Sequence, residues 1–211
     1  MTSPAPHLIL ASQSPRRRYL LEQAGLRFSV IPSSVDEDAI ELTEPAAYVK
    51  TLAQAKAEAV AREYPESWVI GADTVVTIDS AILGKPGDPE EARRMLEQLG
   101  GQSHDVYTGY AIVCKERRLT VTKAIRTDVK FKELNAKEIE WYIQTGEPFD
   151  KAGAYAIQGM GTFLVRRING SYTNVVGLPV CEVIEDLLSL GVVSMDRSLL
   201  QEVRETKGTQ P

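Results

Sequence analysis

The apolar positions of the chain keep two different periods. Short runs at 7–11 (HLILA), 27–31 (RFSVI) and 68–72 (WVIGA) are too brief for helices and read as strands. Between them, 45–64 places Tyr48, Leu52, Ala55 and Ala59 on one stripe at helical spacing, with Glu58 and Arg62 paired on the surface. Ser14-Pro15 opens an earlier helix with a hydroxyl cap and a proline at its first position; Leu20, Leu21 and Ala24 supply its apolar face and Gly25 its stop. Asp88-Pro89-Glu90-Glu91 opens another, carrying Ala92, Met95, Leu96 and Leu99 and closed by Gly100-Gly101. The stretches 106–114 and 119–131 are β-rich and predict an antiparallel pair. Asn135 with Glu138 predicts a helix closed by Gly146, 163–168 a strand, and 179–190 the last clear helix.

Strands and helices alternate early and hairpins dominate the middle, which predicts an α/β fold with a mixed sheet flanked by helices and a cleft between two lobes. The chain shows no repeat, low-complexity tract or long linker, and 195–211 is polar and charged, expected to be a flexible tail. With 43% hydrophobic residues the 211-residue chain has ample material for a core. Its net charge of −5 argues against a nucleic-acid partner, leaving room only for a local basic pocket. Cys114 and Cys181 sit in apolar runs and read as buried, reduced thiols, which together with the lack of a signal-peptide pattern or membrane-length apolar run predicts a cytoplasmic protein.

The first oddity is electrostatic. Arg16, Arg17 and Arg18 all fall in the first turn of their helix, where the backbone dipole is already positive. Each such charge costs about 0.3–1 kcal/mol unless something offsets it. Arg18 has Glu22 four residues on, but Arg16 and Arg17 face only Leu20 and Leu21 at that spacing. They call for an external anion.

Several chemistries lack their residues. Gly84-Lys85-Pro86 is not a P-loop, and Gly159-Met160-Gly161 lacks the third glycine of a dinucleotide fingerprint. Two histidines, His7 and His104, leave little material for a zinc site or a Ser-His-Asp triad, and His104 reads as a polar loop residue. Four places remain. Lys56 has no acidic neighbour at three or four residues and by periodicity reads as a lysine reaching out to water. Asp73 follows a buried strand, where it either caps a turn or is carried to the sheet's carboxyl edge, where ligands bind. Asp150 and Lys151 precede small residues that allow a tight turn or a close approach of backbone to a ligand. Glu37 lies in an acidic segment that is either solvated surface or a source of oxygen ligands for Mg²⁺ or Mn²⁺. Taken together, the cations Arg16, Arg17, Lys56, Lys85 and Lys151 and the carboxylates Glu37, Asp73 and Asp150 are the equipment of phosphoanhydride hydrolysis, with a triphosphate as the missing anion.

The segments LASQSPRRRYLLEQAG, VIGADTVV, LGKPGDPEEARRMLEQLGGQSHDVYTG, EPFDKAGAYAIQGMG and INGSYTNVVGLP, in this order, resemble the Maf family of nucleotide pyrophosphatases over about 7–190. The resemblance implies one domain over that span, a fold like that of inosine triphosphate pyrophosphatases with an elongated mixed sheet, a divalent cation (Mg²⁺ or Mn²⁺), and a homodimer. It implies cleavage of a nucleoside triphosphate to the monophosphate and pyrophosphate. Asp73 matches the family's proton acceptor, and Ser12, Arg16, Arg17, Lys56, Lys85 and Lys151 match its phosphate and substrate contacts, with Asp150 beside the last. Glu37 matches an acid implicated in metal binding or catalysis. Arg16, Thr74 and Gln158 match positions that separate substrate branches, and Gln158 is like the branch acting on dTTP and UTP. A glutamine amide can accept from the N3–H of uracil or thymine and donate to a neighbouring carbonyl. Ala156, where many members of that branch have glycine, adds a methyl beside the base. Two other readings accompany this one: a nucleotide-binding regulator of septum formation with little catalysis, and a pyrophosphatase preferring modified nucleotides.

Overall fold

The computed structural model describes residues 7–37 and 39–194. In chain order the elements are β1 (Leu8–Leu10), α1 (Pro15–Gln23), β2 (Ser29–Val30), α2 (Pro45–Glu63), β3 (Trp68–Ile78), β4 (Ala81–Leu83), α3 (Pro89–Leu99), β5 (Ser103–Cys114), β6 (Leu119–Phe131), α4 (Ala136–Gln144), β7 (Val165–Asn169), α5 (Tyr172–Val176) and α6 (Val180–Ser189). The expected caps set the helix starts. Ser14 accepts from the Arg17 N–H, Asp88 from the Glu91 N–H, and Asn135 and Glu138 form a reciprocal capping box.

One seven-stranded mixed sheet runs in the order β2-β1-β3-β5-β6-β7, with β4 also paired to β3. β1 is parallel to β2 and β3; the remaining pairings are antiparallel. On one edge β3 pairs with β5 from Val69 to Thr77. On its other edge β1 takes Trp68–Ile70 and β4 takes Val76–Ile78, so among the described residues no strand covers 71–75. That gap is where the cleft opens.

Successive strand residues face opposite sides, and the two faces are covered differently. Among the described helices α2 alone lies on one face, its backbone so close that a Cβ on Gly71 would come within 2.2 Å of the Ala53 carbonyl oxygen and one on Gly109 within 2.3 Å of that of Val49. Glycine is therefore required at both positions. The other face carries two apolar cores. Ile70, Ala72, Tyr110 and Ile112 pack with Leu20 and Leu21 of α1 and Val183 and Leu187 of α6. Val76, Val106, Val129 and Phe131 pack with Leu96 and Leu99 of α3 and Ile139 and Tyr142 of α4. The strands cross from one core to the other at Thr74, Thr108 and Thr127, so the predicted two lobes meet along a belt of hydroxyls.

Several expectations need correcting. The buried face of α2 carries Val49, Leu52, Ala53, Lys56, Ala57, Val60 and Ala61, rotated from the predicted stripe of Tyr48, Leu52, Ala55 and Ala59. Alanines occur all round this helix, so the sequence leaves its phase poorly defined, and Lys56 lands on the buried face instead of reaching water. The strand expected to end at Ala72 continues to Ile78, which puts Asp73 mid-strand; it borders the ligand cleft because the sheet is split beside it. His104 is not a loop residue. It is buried in β5, its Nε2 2.8 Å from the Tyr155 hydroxyl, and burial pushes its pKa down to about 4. Cys114 is buried as expected, but Cys181 is exposed on α6. The last strand begins at Val165 because 159–163 form a tight 3₁₀ turn. β4 and α5 had no counterpart in the predicted elements. The expected tail at 195–211 lies outside the described residues. Among those residues no helix is long and apolar enough to cross a membrane.

Candidate active site

A cleft of about 890 Å³ opens at the gap in β3 and wraps around its free edge, so it reaches residues from both faces of the sheet. Ser12, Arg16, Arg17, Glu37, Lys56, Asp73, Thr74, Lys85, Asp150, Lys151 and Gln158 all line it. These eleven positions, read from the sequence as site candidates, are thus brought to one place.

On the α2 face, the Lys56 ammonium is buried between two carboxylates, 2.6 Å from Asp73 Oδ1 and 2.7 Å from Glu37 Oε1. Desolvation pushes the Glu37 carboxyl up, but the Lys56 ammonium, with Lys85 and Arg17 behind it, outweighs that and holds it below the usual range. Asp73 Oδ2 has no protein partner among the described residues and is the oxygen available to a water or a cation. A buried lysine is tolerated here because both acids neutralise it.

On the opposite face sits Arg17. Its Nε donates to the Gly177 carbonyl at 2.8 Å, Nη1 to Ser12 Oγ at 3.2 Å, and Nη2 to Thr74 Oγ1 at 3.1 Å. Burial pulls the guanidinium below the usual arginine range, while the charges of Asp73 and Glu37 pull the other way. Proline at N1 and the Ser14 cap start α1 so that this side chain points back over the sheet.

Arg16, one residue earlier, spans the cleft to Asp150 Oδ2 at 3.0 Å. Asp150 also accepts from Lys151 Nζ at 2.5 Å, and Lys151 donates to the Glu147 carbonyl at 2.7 Å. Desolvation raises the Asp150 carboxyl, but Lys151 and Arg16 more than offset it and the group lies below its usual range. Two of the cleft's cations therefore share a single exposed carboxylate, an arrangement that an incoming anion of higher charge can displace.

Of the small residues after Lys151, Ala152 and Ala156 line the cleft, whereas Gly153 answers to packing. Gly153 has φ +69° and a Cβ there would meet the Val76 side chain at 3.0 Å. Glu147 accepts from the Met160 and Gly161 N–H groups at 2.9 and 3.2 Å, and Tyr142 Oη accepts from the Ala156 N–H at 3.1 Å. These two side chains pin both ends of the segment that presents Gln158, whose amide has no partner among the described residues. Neither was singled out from the sequence, although Glu147 stands in the same motif as Asp150 and Lys151. Gly177, Thr108 and Asn174 were also missed. Gly177 works through its carbonyl, which no side-chain pattern reports, and the other two are polar positions in apolar surroundings.

The donor set also bears on a divalent cation. Among the described residues no group of three or more His, Cys, Asp and Glu side chains converges as a metal site. Glu37 Oε1 and Asp73 Oδ1 both meet the Lys56 ammonium, which leaves the second oxygen of each carboxylate as a hard donor for a cation in the cleft they line. Two carboxylates with the rest of the shell from phosphate and water are what magnesium commonly takes, so the residues fit an ion that arrives with its nucleotide.

Residues 7–190 match the family model described as Maf-like protein. A protein of Syntrophus aciditrophicus named dTTP/UTP pyrophosphatase is 50% identical over 184 residues, covering 87% of this chain and 90% of its own. One of the same name from Bacillus cytotoxicus is 52% identical over 179 residues, covering 85% of this chain and 93% of its own. Among solved structures, the Ham1 protein of Staphylococcus aureus aligns at a TM-score of 0.42 with 14% identity, covering 75% of this chain and 79% of that one.

Proposed function

The chain belongs to the Maf-like protein family, and from that premise we propose that it hydrolyses nucleoside triphosphates, dTTP and UTP first, to the monophosphate and pyrophosphate. The observation that carries this reading is the Lys56–Asp73–Glu37 cluster, a buried Lys56–Asp73 ion pair joined by the half-exposed Glu37 at one wall of a cleft whose other walls carry Arg16, Arg17, Lys85 and Lys151.

Asp73 Oδ2 accepts a proton from the attacking water while Lys56 holds Oδ1 and so fixes the carboxylate's orientation. The water's oxygen bonds to the α-phosphorus, the bond from that phosphorus to the α–β bridging oxygen breaks, and pyrophosphate leaves with the bridging electrons. Arg16, Arg17, Lys85 and Lys151 stabilise the charge that builds on the leaving group. Arg16 and Lys151 are released for this when the phosphates replace the Asp150 carboxylate. A Mg²⁺ or Mn²⁺ ion held by Glu37 and Asp73 would neutralise charge on the phosphate oxygens. The Gln158 amide reads the base, accepting from N3–H and donating to a carbonyl, which favours uracil and thymine over cytosine. The enzyme is proposed to work as a cytoplasmic homodimer.

The test is pyrophosphate release with Mg²⁺ or Mn²⁺ across dTTP, UTP, CTP, ATP and GTP, with wild type beside Asp73→Asn. The expected result is release from dTTP and UTP that falls about 10²-fold or more in the variant, the range general-base removal produces. Retention of most activity by folded Asp73→Asn would assign the base elsewhere. Silence on all substrates by protein that binds nucleotide would favour a regulatory role.

A further inference from the structure

The belt of hydroxyls where the two cores meet is fully bonded but has no part in the mechanism above. Thr108 lies at its centre with no exposed surface. It stands directly across from Thr74 in the β3–β5 ladder, with the two hydroxyl oxygens 2.9 Å apart. Each hydroxyl has one proton to give. Thr108 donates its proton to the Asn174 carbonyl of α5 at 2.9 Å, so between the two threonines it can only accept. Thr74 therefore donates to Thr108 and offers its oxygen to Arg17 Nη2 at 3.1 Å. The other acceptor near Thr74, the Gly177 carbonyl, is 3.5 Å away and already receives Arg17 Nε at 2.8 Å.

The donors then run in one direction, from Arg17 through Thr74 and Thr108 to a backbone carbonyl that cannot rotate. We infer that Thr108 is a positioning residue for Arg17: by fixing the Thr74 hydroxyl it holds the guanidinium in place for the triphosphate. The inference rests on the reading of Arg17 as a phosphate contact. Attachment of α5 does not need Thr108. Asn174 Nδ2 donates to the Val106 carbonyl at 3.1 Å and to Thr127 Oγ1 at 3.0 Å, and its carbonyl also accepts from the Gly177 N–H at 3.0 Å. Without the Thr108 hydroxyl, Thr74 can turn its proton to the Gly177 carbonyl and compete there with Arg17. Asp73, on the opposite face of β3, is untouched.

The test compares Thr108→Val, which keeps the shape and removes the hydroxyl, with Thr108→Ser, which keeps the hydroxyl. Both are measured by steady-state kinetics on dTTP and by the Kd of a non-hydrolysable dTTP analogue. Thr108→Val should raise the analogue's Kd about tenfold, the scale of one lost hydrogen bond, and lower kcat/KM by at least that factor, because Arg17 also meets the charge that builds on the leaving group. Thr108→Ser should restore both constants. Added to Arg17→Met, Thr108→Val should cost nothing further, because the relay then has no load. Wild-type kcat/KM and Kd in Thr108→Val, or additive losses in the double variant, would overturn the inference. If Thr108→Val does not fold, Thr108→Cys replaces it, since a thiol donates weakly; an unchanged Kd there overturns the inference as well. If wild type binds the analogue but releases no pyrophosphate, the hydrolysis reading fails while the Kd series still decides the relay.

Discussion

Lys56 is the residue on which the site's charge balance turns. Its ammonium touches both carboxylates and lowers the Glu37 pKa against the opposing effect of burial. Lys56→Met should therefore raise the pH at which Glu37 gives up its proton, because the cation that favoured the charged form is gone. If the charged form of Glu37 is needed, the acid limb of the kcat/KM profile moves to higher pH in this variant, alongside a loss of rate. The profile of Glu37→Gln serves as the control, since it has no such proton to lose. An acid limb that stays put in Lys56→Met would mean that Glu37 does not report in the profile.

Among elements, α2 does the most to build the site, because it lays Lys56 over Asp73. It can do so only because Gly71 and Gly109 let its backbone touch the sheet. Gly71→Ala would drive a methyl into the Ala53 carbonyl, and the helix must lift to admit it. The expected cost is about 1–3 kcal/mol of stability, typical of overpacking, together with a loss of turnover larger than that of a distant variant of equal stability. Urea unfolding and pyrophosphate release on the same preparation check both halves. α1, α3 and α4 were legible from the sequence because caps and glycine stops mark their ends. β4 and α5 were not, being three and five residues long and too short to show a period. The facing of α2 was hidden by alanines on every side, and Lys56 looked solvated for that reason. The hydroxyl belt was hidden differently. Thr74, Thr108 and Thr127 are polar positions in strands, and such alternation ordinarily marks a solvent face; only the pairing register makes them neighbours of a buried Asn174. The charged site candidates were legible as a set because their residue types make sense together, whereas their distances were not.

For the whole molecule, the net charge of −5 hides a cleft of opposite sign, lined by five cations and three carboxylates. The cations stand on both sides of the seam, with Arg16 and Arg17 on α1 and Lys85 and Lys151 against the far core. The exposed Arg16–Asp150 pair bridging them adds little stability by itself, since solvent screens it. A bound triphosphate should couple the two sides more firmly. The melting temperature should rise with the non-hydrolysable analogue, by the equivalent of about 2.7 kcal/mol at a hundredfold excess over Kd, and the rise should shrink as salt is added. A shift insensitive to salt would mean that the base and sugar, not the phosphates, dominate affinity.

β3, β5 and β6 run unbroken through both cores, with 11, 12 and 13 residues. Enzymes that swallow a nucleotide by swinging two bodies about a loop have a point of rotation; a sheet that continues through the seam offers none. The two halves can move only as a twisting ribbon does, with the deformation shared along three hydrogen-bonded strands. Torsion of that kind has small amplitude and a steep restoring force, so the radius of gyration should change little when the nucleotide is bound.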